Sequence, residues 1–340
     1  MFIQSPGELL PQGAIVFFEE VQALTDSGLF LKGLVDRKSG FRLLATGSSS
    51  FELESQTRES LAGRAHRKQL LPFSLAELAA AEQVPAALEN RNREKSLYHL
   101  LQYGGYPSVY LTEKKSAVLT GLVESFILRD ASDRFRIKHT GAFRRLLELL
   151  ANQIGNLCNF SEWAANLGIS ADTVREYTTI LSDAHIIRFV RPFAGGKRAE
   201  ITAAPKVYFI DNGIRNRLFG GFAPVERRAD QGALLENFVF TELLKHSHPL
   251  LDNIRFWRSK SGAEVDFVLE HQSLCVGIEV KSGNTRGKLT RSSHSFIDAY
   301  APQQFWIISD REHNGFQKNN TEVIFTTPTK FQSLLIALTE

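Results

Sequence analysis

The stretch that decides the fold reads GAEVDFVLEHQSLCVGIEVK and covers residues 262–281. Apolar and polar residues alternate with a period of two on both sides of His271–Leu274, which predicts two antiparallel strands joined by a tight turn. If the turn is centred on the middle of that loop, Asp266 lies directly opposite Glu279. Two carboxylates opposite each other across a ladder repel. A divalent cation between them would turn this cost into a pair of ligands.

The same register places Glu264 opposite Lys281 and puts Gly277, which has no side chain, beside the acidic pair. These residues share one polar face, and a solvated polar face on a half-buried hairpin is the alternative interpretation. The opposite face is apolar and is formed by Val265, Phe267, Leu269, Val276, Ile278 and Val280.

Composition sets the broad class of the protein. A chain of 340 residues and 38.1 kDa is long enough for two or three domains. A net charge of +3 is too small to indicate nucleic-acid binding by the whole chain, so any basic surface must be local. Cys158 and Cys275 are too few for a disulfide framework or a zinc site. With no signal peptide and no apolar run of about 20 residues, we expect a soluble cytoplasmic protein that does not enter the membrane.

The N-terminal region has an α/β pattern. Ala14–Phe18 predicts a buried parallel strand, and Phe41–Ala45 predicts a second one that ends in Thr46–Ser50. Ligands usually lie at the carboxyl ends of such strands. Glu19 and Glu20 follow the first strand and suit ATP hydrolysis, the former as the Mg²⁺ partner and the latter as the group that polarises water. Alternatively, these acids begin a solvated loop.

The sequence contains no phosphate-binding loop of the form G-x-x-x-x-G-K-[ST]. Gly195-Gly196-Lys197 lacks the required spacing. Since the backbone amides and lysine of such a loop supply most of the affinity for phosphates, we expect ATP binding and hydrolysis by this chain to be weak or absent.

The middle of the chain predicts a winged helix-turn-helix. Ser161 and Ser170 each begin a helix, and the strands Ile186–Val190 and Lys206–Ile210 flank a basic wing. A protein-interaction or spacer module is the alternative. The candidate nucleic-acid contacts on the wing are Arg188, Arg191, Lys197 and Arg198.

Eight short motifs occur in an order that resembles one protein family. They are AIVFFEEVQ (14–22), LATGSSSF (44–51), SLAGR (60–64), LPFS (71–74), YGGYP (103–107), GALLENFVFTEL (232–243), GAEVDFVL (262–269) and IEVKS (278–282). Together they resemble the AAA-type predicted ATPases of bacteria and archaea that carry a C-terminal restriction-endonuclease-like domain. The resemblance spans nearly the whole chain. In that family the phosphate-binding loop precedes the first motif by several dozen residues, so the resemblance implies an N-terminally truncated member.

The resemblance implies roles for residues at both ends of the chain. Glu19 and Glu20 match the Walker B acids, although the first is normally Asp. Thr46 or Ser48 falls near the sensor position, and Arg64 could act on the nucleotide as a finger or sensor.

The C-terminal part resembles a PD-(D/E)xK nuclease core. Glu236, Asp266 and Glu279 would then hold Mg²⁺, and Lys281 would orient the water or stabilise charge on the phosphate. A retained core that recognises a partner without cutting is the alternative. Six basic residues nearby suit a phosphate backbone: Arg255, Arg258, Lys260, Arg286, Lys288 and Arg291.

We therefore expect a multidomain α/β protein. Residues 1–75 would form a partial AAA-type core, 76–150 a helical region, 151–212 the winged helix and 213–340 the nuclease-like domain. The expected function is that of an ATPase-family member with impaired ATP binding. The alternatives are a Mg²⁺-dependent nuclease acting on DNA or RNA, and a non-catalytic module that binds nucleic acid or a protein partner.

Overall fold

The computed structural model describes residues 13–37, 40–47, 61, 63–66, 68–125, 137–193, 195, 204–247, 252–272 and 274–339. The chain divides into two compact units. The first comprises Met1–Leu70 with Thr179–His185, and the second comprises Leu71–Thr178 with Ile186–Glu340. Among the described residues, no helix combines the length and the apolar character needed to cross a membrane.

The first unit is built on two parallel strands, β1 (Ile15–Phe18) and β2 (Arg42–Ala45), with helix α1 (Ser27–Asp36) between them in the chain. Its small core centres on Val21, Leu31 and Leu61. The parallel pairing predicted from the sequence is confirmed.

The prediction that these strands are buried is wrong for one face. Ile15 is 67% exposed, and Phe17 and Leu44 are each 53% exposed. Within the described residues the sheet has only these two strands, and its core covers the other side of it.

The second unit begins with a helical region. Helices α2–α6 are Leu75–Ala81, Glu89–Tyr103, Pro107–Tyr110, Lys115–Gly121 and Thr140–Asn152. Ser74 begins α2 with a capping box, in which its side chain accepts from the Glu77 amide and the Glu77 carboxylate accepts from the Ser74 amide. Gly104, with φ of 74°, ends α3.

Two short helices joined by a tight turn follow, α7 (Phe160–Leu167) and α8 (Ala171–Asp183). Asn159 caps α7 by accepting a hydrogen bond from the Glu162 amide, and Gly168 ends it with φ of 67°. The strands β3 (Ile187–Pro192) and β4 (Lys206–Phe209) then pair in antiparallel fashion.

An eight-stranded mixed sheet forms the centre of the second unit, in the order β4-β3-β5-β6-β7-β8-β10-β9. The remaining strands are β5 (Asp252–Arg258), β6 (Glu264–His271), β7 (Leu274–Val280), β8 (Gln304–Ile308), β9 (Phe316–Lys318) and β10 (Thr321–Thr326). The sheet includes β3 and β4, so it crosses the domain boundary predicted at residue 212.

Helices cover both faces of this sheet. They are α10 (Gln231–His246), α11 (Arg291–Tyr300) and α12 (Phe331–Thr339), and α9 (Asn212–Phe219) precedes α10 in the chain. One core contains Phe238 of α10 with Phe267 and Ile278 of the hairpin. The other contains Phe296 of α11 with Val268. Both faces of the β6–β7 hairpin are therefore buried along its middle.

Candidate functional site

The β6–β7 hairpin has the predicted register. Paired residues run from Phe267 with Ile278 to His271 with Leu274. Asp266 is the next residue beyond this ladder, and there the Val280 amide donates to Asp266 Oδ2 at 2.7 Å. The side chain of Asp266 therefore binds the backbone of the opposite strand at the point where regular pairing ends.

Glu279 lies beside this point and is only 3% exposed. Thr290 Oγ1 donates to Glu279 Oε2 at 3.0 Å, and the Ser293 hydroxyl donates to the same oxygen. The Lys281 ammonium lies 2.8 Å from Glu279 Oε1. Because Thr290 and Ser293 also form the capping box of α11, the start of that helix fixes the carboxylate. The alternative of a solvated polar face is wrong for Glu279.

Glu236 reaches the site from α10. The Tyr208 hydroxyl donates to Glu236 Oε1 at 2.6 Å, and Lys206 Nζ lies 3.5 Å from the same oxygen. Gly155, with φ of 73°, allows the close approach, since a Cβ there would lie 2.9 Å from Glu236 Oε1. The prediction that Glu236 binds a metal stays a prediction; in this structure its carboxylate binds a lysine and a tyrosine.

Glu264 does not face Lys281 as the sequence predicted. It pairs across β5–β6 with Arg258, whose Nη1 lies 3.3 Å from Glu264 Oε2, and its Oε1 lies 2.5 Å from Lys206 Nζ. The ladder between β6 and β7 stops before this position, because Asp266 takes the Val280 amide.

Charge is concentrated around Asp266. Burial and then the Glu236 carboxylate raise the pKa of Asp266 well above its usual range, although Lys206 and Lys281 act in the opposite direction. For Lys281, burial lowers the pKa but Asp266 and Glu279 outweigh it, so the pKa is raised. The two carboxylates therefore favour the charged form of Lys281.

Asp266 and Glu279 are the two carboxylates at this end of the hairpin that could take part in binding a metal ion. Within the described residues, no three His, Cys, Asp or Glu side chains are gathered closely enough to hold a metal ion. Mg²⁺ commonly uses one or two carboxylates and completes its coordination with water and phosphate oxygens. Asp266, which accepts from the Val280 amide, and Glu279, which is oriented by two hydroxyl groups, are the candidates for such a pair.

The ends of β1 and β2 meet in the first unit. The Thr46 amide donates to the Phe18 carbonyl at 2.8 Å, and the Val21 amide donates to the Thr46 carbonyl at 3.0 Å. Glu19 and Glu20 lie on the same connection and are exposed. The structure thus brings the predicted acids next to Thr46.

Arg64, the predicted nucleotide finger or sensor, forms an ion pair with Asp36 at the end of α1. Ser48, the other candidate for the sensor position, lies outside the described residues.

Two of the four predicted nucleic-acid contacts are described. Arg188 and Arg191 are exposed on β3, whereas Lys197 and Arg198 lie outside the described residues. Arg191 pairs in register with Arg255 of β5, which places these two arginines side by side on adjacent parallel strands.

Sequence reasoning missed Lys206, Tyr208, Thr290 and Ser293 as parts of the site. The sequence placed Lys206 and Tyr208 on a strand of the predicted wing. Because they are two residues apart, they lie on the same face of that strand, and this spacing was the available sign that they act together. Thr290 and Ser293 have the spacing of a capping box, but that pattern does not reveal a third partner such as Glu279.

Three family comparisons cover most of the chain. Residues 2–79 match a family described as AAA domain. Residues 94–224 match Domain of unknown function (DUF8612), and residues 231–328 match Domain of unknown function (DUF4143). The matches support a relationship to an ATPase-like family and leave the chemistry of the C-terminal part open.

Similar proteins occur in bacteria and archaea. An uncharacterized protein of Mycobacterium tuberculosis is 27% identical over 305 residues, which cover 88% of this chain and 65% of that protein. An uncharacterized protein of Methanocaldococcus jannaschii is 26% identical over 267 residues, which cover 75% of this chain and 58% of that protein. The chain thus spans less than two thirds of the length of these relatives.

The crystal structure of protein VC1899 from Vibrio cholerae aligns over 99% of this chain and 94% of that one, with 14% identity and a TM-score of 0.23. A score this low supports no statement about the fold.

Proposed function

We propose that the second unit hydrolyses phosphodiester bonds of nucleic acid at Asp266, Glu279 and Lys281 in a reaction that requires a divalent cation. The observation that carries this proposal is a charge imbalance. The described residues of the site contribute four carboxylates, from Glu236, Glu264, Asp266 and Glu279. Their cationic partners are Lys206, Lys281 and Arg258. Burial raises the pKa of Asp266, the Glu236 carboxylate raises it further, and a cation bound there would stabilise the charged form of Asp266.

A bound Mg²⁺ supplies Lewis-acid activation of water and neutralises charge on the phosphate. Asp266 and Glu279 would hold it, while Thr290 and Ser293 keep Glu279 in one orientation. In the reaction a water oxygen bonds to phosphorus as the bond from phosphorus to a sugar oxygen breaks. The water proton passes through solvent to the departing oxygen.

Lys281 has an electrostatic role in this proposal. Its ammonium is bound to Glu279 Oε1 at 2.8 Å, and its raised pKa keeps it charged. A fixed cation next to the reacting phosphate stabilises the negative charge that develops on the phosphate oxygens in the transition state. A neutral side chain of similar length would fill the same space without this effect.

The Arg191–Arg255 pair supports nucleic acid as the substrate class. Like charges in register on adjacent strands are unfavourable. In the part of the chain that the structure describes, neither guanidinium has an acidic partner. A phosphate backbone would supply the missing negative charge, with Arg188 farther along β3.

We also propose that α7, α8, β3 and β4 form a winged helix and that α10 with β5–β8 forms a restriction-endonuclease-like core. The tight turn at Gly168 and the antiparallel β3–β4 pair support the first assignment. An antiparallel hairpin followed by parallel β8, with an acid from a neighbouring helix, supports the second.

Incubation of the chain with single- and double-stranded DNA and RNA, in Mg²⁺ or Mn²⁺, tests the proposed hydrolysis. We expect metal-dependent cleavage whose rate falls at least 100-fold in Asp266→Asn and in Lys281→Met, a loss typical of removing one electrostatic group. Replacing both Arg191 and Arg255 with Ala should weaken the binding of nucleic acid, and the loss of affinity should be larger at low salt than at high salt. Cleavage that survives Asp266→Asn, or no cleavage of any substrate, would contradict the proposal. No cleavage together with retained binding would favour a non-catalytic interaction module.

A second candidate function concerns the first unit. The AAA-domain match and the meeting of Thr46 with the Glu19–Glu20 connection support a nucleotide-related role. Because the chain contains no G-x-x-x-x-G-K-[ST] loop, we propose that it binds MgATP weakly, with a dissociation constant above about 1 mM. Calorimetric titration with MgATP tests this. Micromolar binding that is lost in Glu19→Gln would contradict it.

A further inference from the structure

Two turns border the candidate site. The turn between β5 and β6 ends at Glu264, and the connection between β7 and α11 begins at Lys281, and both of these residues belong to the site. The Glu264 amide donates to Ser292 Oγ at 3.1 Å, which binds the end of the first turn to the start of α11. Side chains on the two turns therefore lie around the same end of the hairpin.

Exposed cations without an acidic partner are concentrated on these turns and at the start of α11. Four side chains are exposed and form no ion pair with any residue that the structure describes: Lys260, Arg286, Lys288 and Arg291. We call these four residues the basic rim. The other cations of this region are already paired, Arg258 with Glu264 and Lys281 with Glu279.

Two cations of the basic rim occupy positions that local structure disfavours. Arg286 has φ of 54°, a left-handed conformation that residues with a Cβ rarely adopt. Arg291 is the first residue of α11, where the positive end of the helix dipole is unfavourable for a cation. The stability of the fold explains neither position, and residues that break a local rule are expected where a ligand is bound.

Hydrogen bonds fix the backbone of both turns. In the turn between β5 and β6, the Ser259 amide donates to the Ala263 carbonyl at 2.8 Å. In the connection to α11, Asn284 Oδ1 accepts from the Arg286 amide at 2.8 Å and lies 3.1 Å from His313 Nε2. A ligand of the basic rim therefore does not have to order these turns, which reduces the entropy cost of binding.

The basic rim reverses the formal charge around the site. The four carboxylates and three cationic partners of the site give a net charge of −1, and the four cations of the rim change it to +3. The exposed Asp310 and Arg311, on the connection after β8, cancel each other. The carboxylates alone would repel a polyanion, whereas the whole set attracts one.

We propose that the basic rim binds the phosphate backbone of nucleic acid and holds it at the end of the hairpin, and that this binding needs no metal ion. The inference rests on the proposed hydrolysis of nucleic acid and assigns the positioning of the substrate to these four residues. Phosphate contacts carry no sequence information, so the rim binds without regard to base sequence.

Titration of the full chain with fluorescent nucleic acid in EDTA, at several salt concentrations, tests the proposal. The probes are duplex DNA, single-stranded DNA and single-stranded RNA. Replacing all four rim residues with Gln should weaken binding at least about tenfold at low salt and reduce the slope of log affinity against log salt by about 3. Each phosphate contact contributes about 0.9 to this slope for duplex DNA and about 0.7 for a single strand.

The matched control removes the same charge elsewhere in the second unit. It replaces with Gln two lysines and two arginines that each form an ion pair with an acid: Lys95, Lys330, Arg93 and Arg144. The salt slope of this control should stay within about 1 of wild type. Equal losses in both variants would assign binding to net charge alone and overturn the proposal. A rim variant with the wild-type slope would overturn it as well and leave binding to Arg191 and Arg255.

Urea unfolding separates a role in binding from a role in folding. Because Arg291 opposes the dipole of α11, Arg291→Gln should be at least as stable as wild type while its affinity for nucleic acid falls. An Arg291→Gln protein that is less stable than wild type, or that binds nucleic acid equally well, would contradict the role assigned to this residue.

The outcomes separate this inference from the proposed hydrolysis. Binding in EDTA that the rim variant loses, without cleavage by wild type in Mg²⁺ or Mn²⁺, would support the basic rim and contradict the hydrolysis. Cleavage that the rim variant retains at the wild-type rate would overturn only the basic rim. Absence of binding by wild type to every probe would overturn both.

Discussion

Gly277 lies where two aromatic rings reach the middle of the β6–β7 hairpin. A Cβ at this residue would lie 2.5 Å from Phe305 Cδ2 and 2.9 Å from Phe296 Cε1. The sequence suggested that this glycine leaves room beside the acidic pair. The structure shows that the glycine leaves room for the core that packs α11 against the sheet, since both rings belong to that core.

We expect Gly277→Ala to reduce the free energy of unfolding by about 1–3 kcal/mol, because the added methyl group overpacks a filled core. Urea unfolding measures this change. Gly232→Ala is the matched control, since the nearest atom to its Cβ would be Ser282 Oγ at 3.5 Å and the residue lies within α10. The control should be neutral or stabilising by up to about 1 kcal/mol. Equal stability of Gly277→Ala and wild type would contradict the packing described here.

The position of Asp266 next to the Glu279 strand could be predicted from the sequence, because a period of two fixes the face of each strand residue and a tight turn fixes the register. The approach of Lys206 to Glu236 and Glu264 could not be predicted. It depends on contacts between strands and a helix that are far apart in the chain, and no local pattern encodes them.

The junction of α6, α9 and α10 is held by a partly buried charge cluster. Asp230, at the start of α10, accepts from Arg228 Nε at 2.9 Å and forms an ion pair with Arg215 of α9. Arg215 Nε also donates to the Ala151 carbonyl of α6 at 2.8 Å. Burial alone would raise the pKa of Asp230, but the hydrogen bonds from Arg228 and Arg215 lower it to about 2.

This pKa predicts how the cluster contributes to stability as pH changes. The pKa of Asp230 is lower in the folded chain than in the unfolded chain, where it is about 3.9. The stabilisation is therefore complete above about pH 4 and is lost as the pH falls through about 2. Asp230→Asn should cost about 1–2 kcal/mol at pH 6. Urea unfolding at several pH values should show this difference shrinking below about pH 4. A difference that does not change with pH would contradict the assignment.

Among the elements, the parallel pair β1–β2 and the hairpin β6–β7 could be predicted because each has a clear local pattern. The extent of the large sheet could not be predicted. The sequence assigned β3 and β4 to a separate wing, but they belong to the large sheet. Two residue pairs connect β3 to β5, Arg191 with Arg255 and Pro192 with Phe256. A pairing of only two residues does not change the alternation of polar and apolar residues in either strand, so the sequence does not reveal it.

At the scale of the whole molecule, residues 2–79 match an AAA domain, and the candidate metal site lies in the second unit. We propose that Asp266 and Glu279 hold a divalent cation at the end of the hairpin. Three observations support this proposal: the Val280 amide donates to Asp266, two hydroxyl groups orient the Glu279 carboxylate, and burial and then Glu236 raise the pKa of Asp266.

The most direct test is an anomalous difference map from crystals of the chain grown with Mn²⁺. We predict one strong peak within about 2.5 Å of a carboxylate oxygen of Asp266 and of Glu279. Lys206 Nζ should remain between Glu236 and Glu264 in the same crystals. A well-ordered hairpin with no peak at Asp266, although Mn²⁺ is present at millimolar concentration, would contradict the claim.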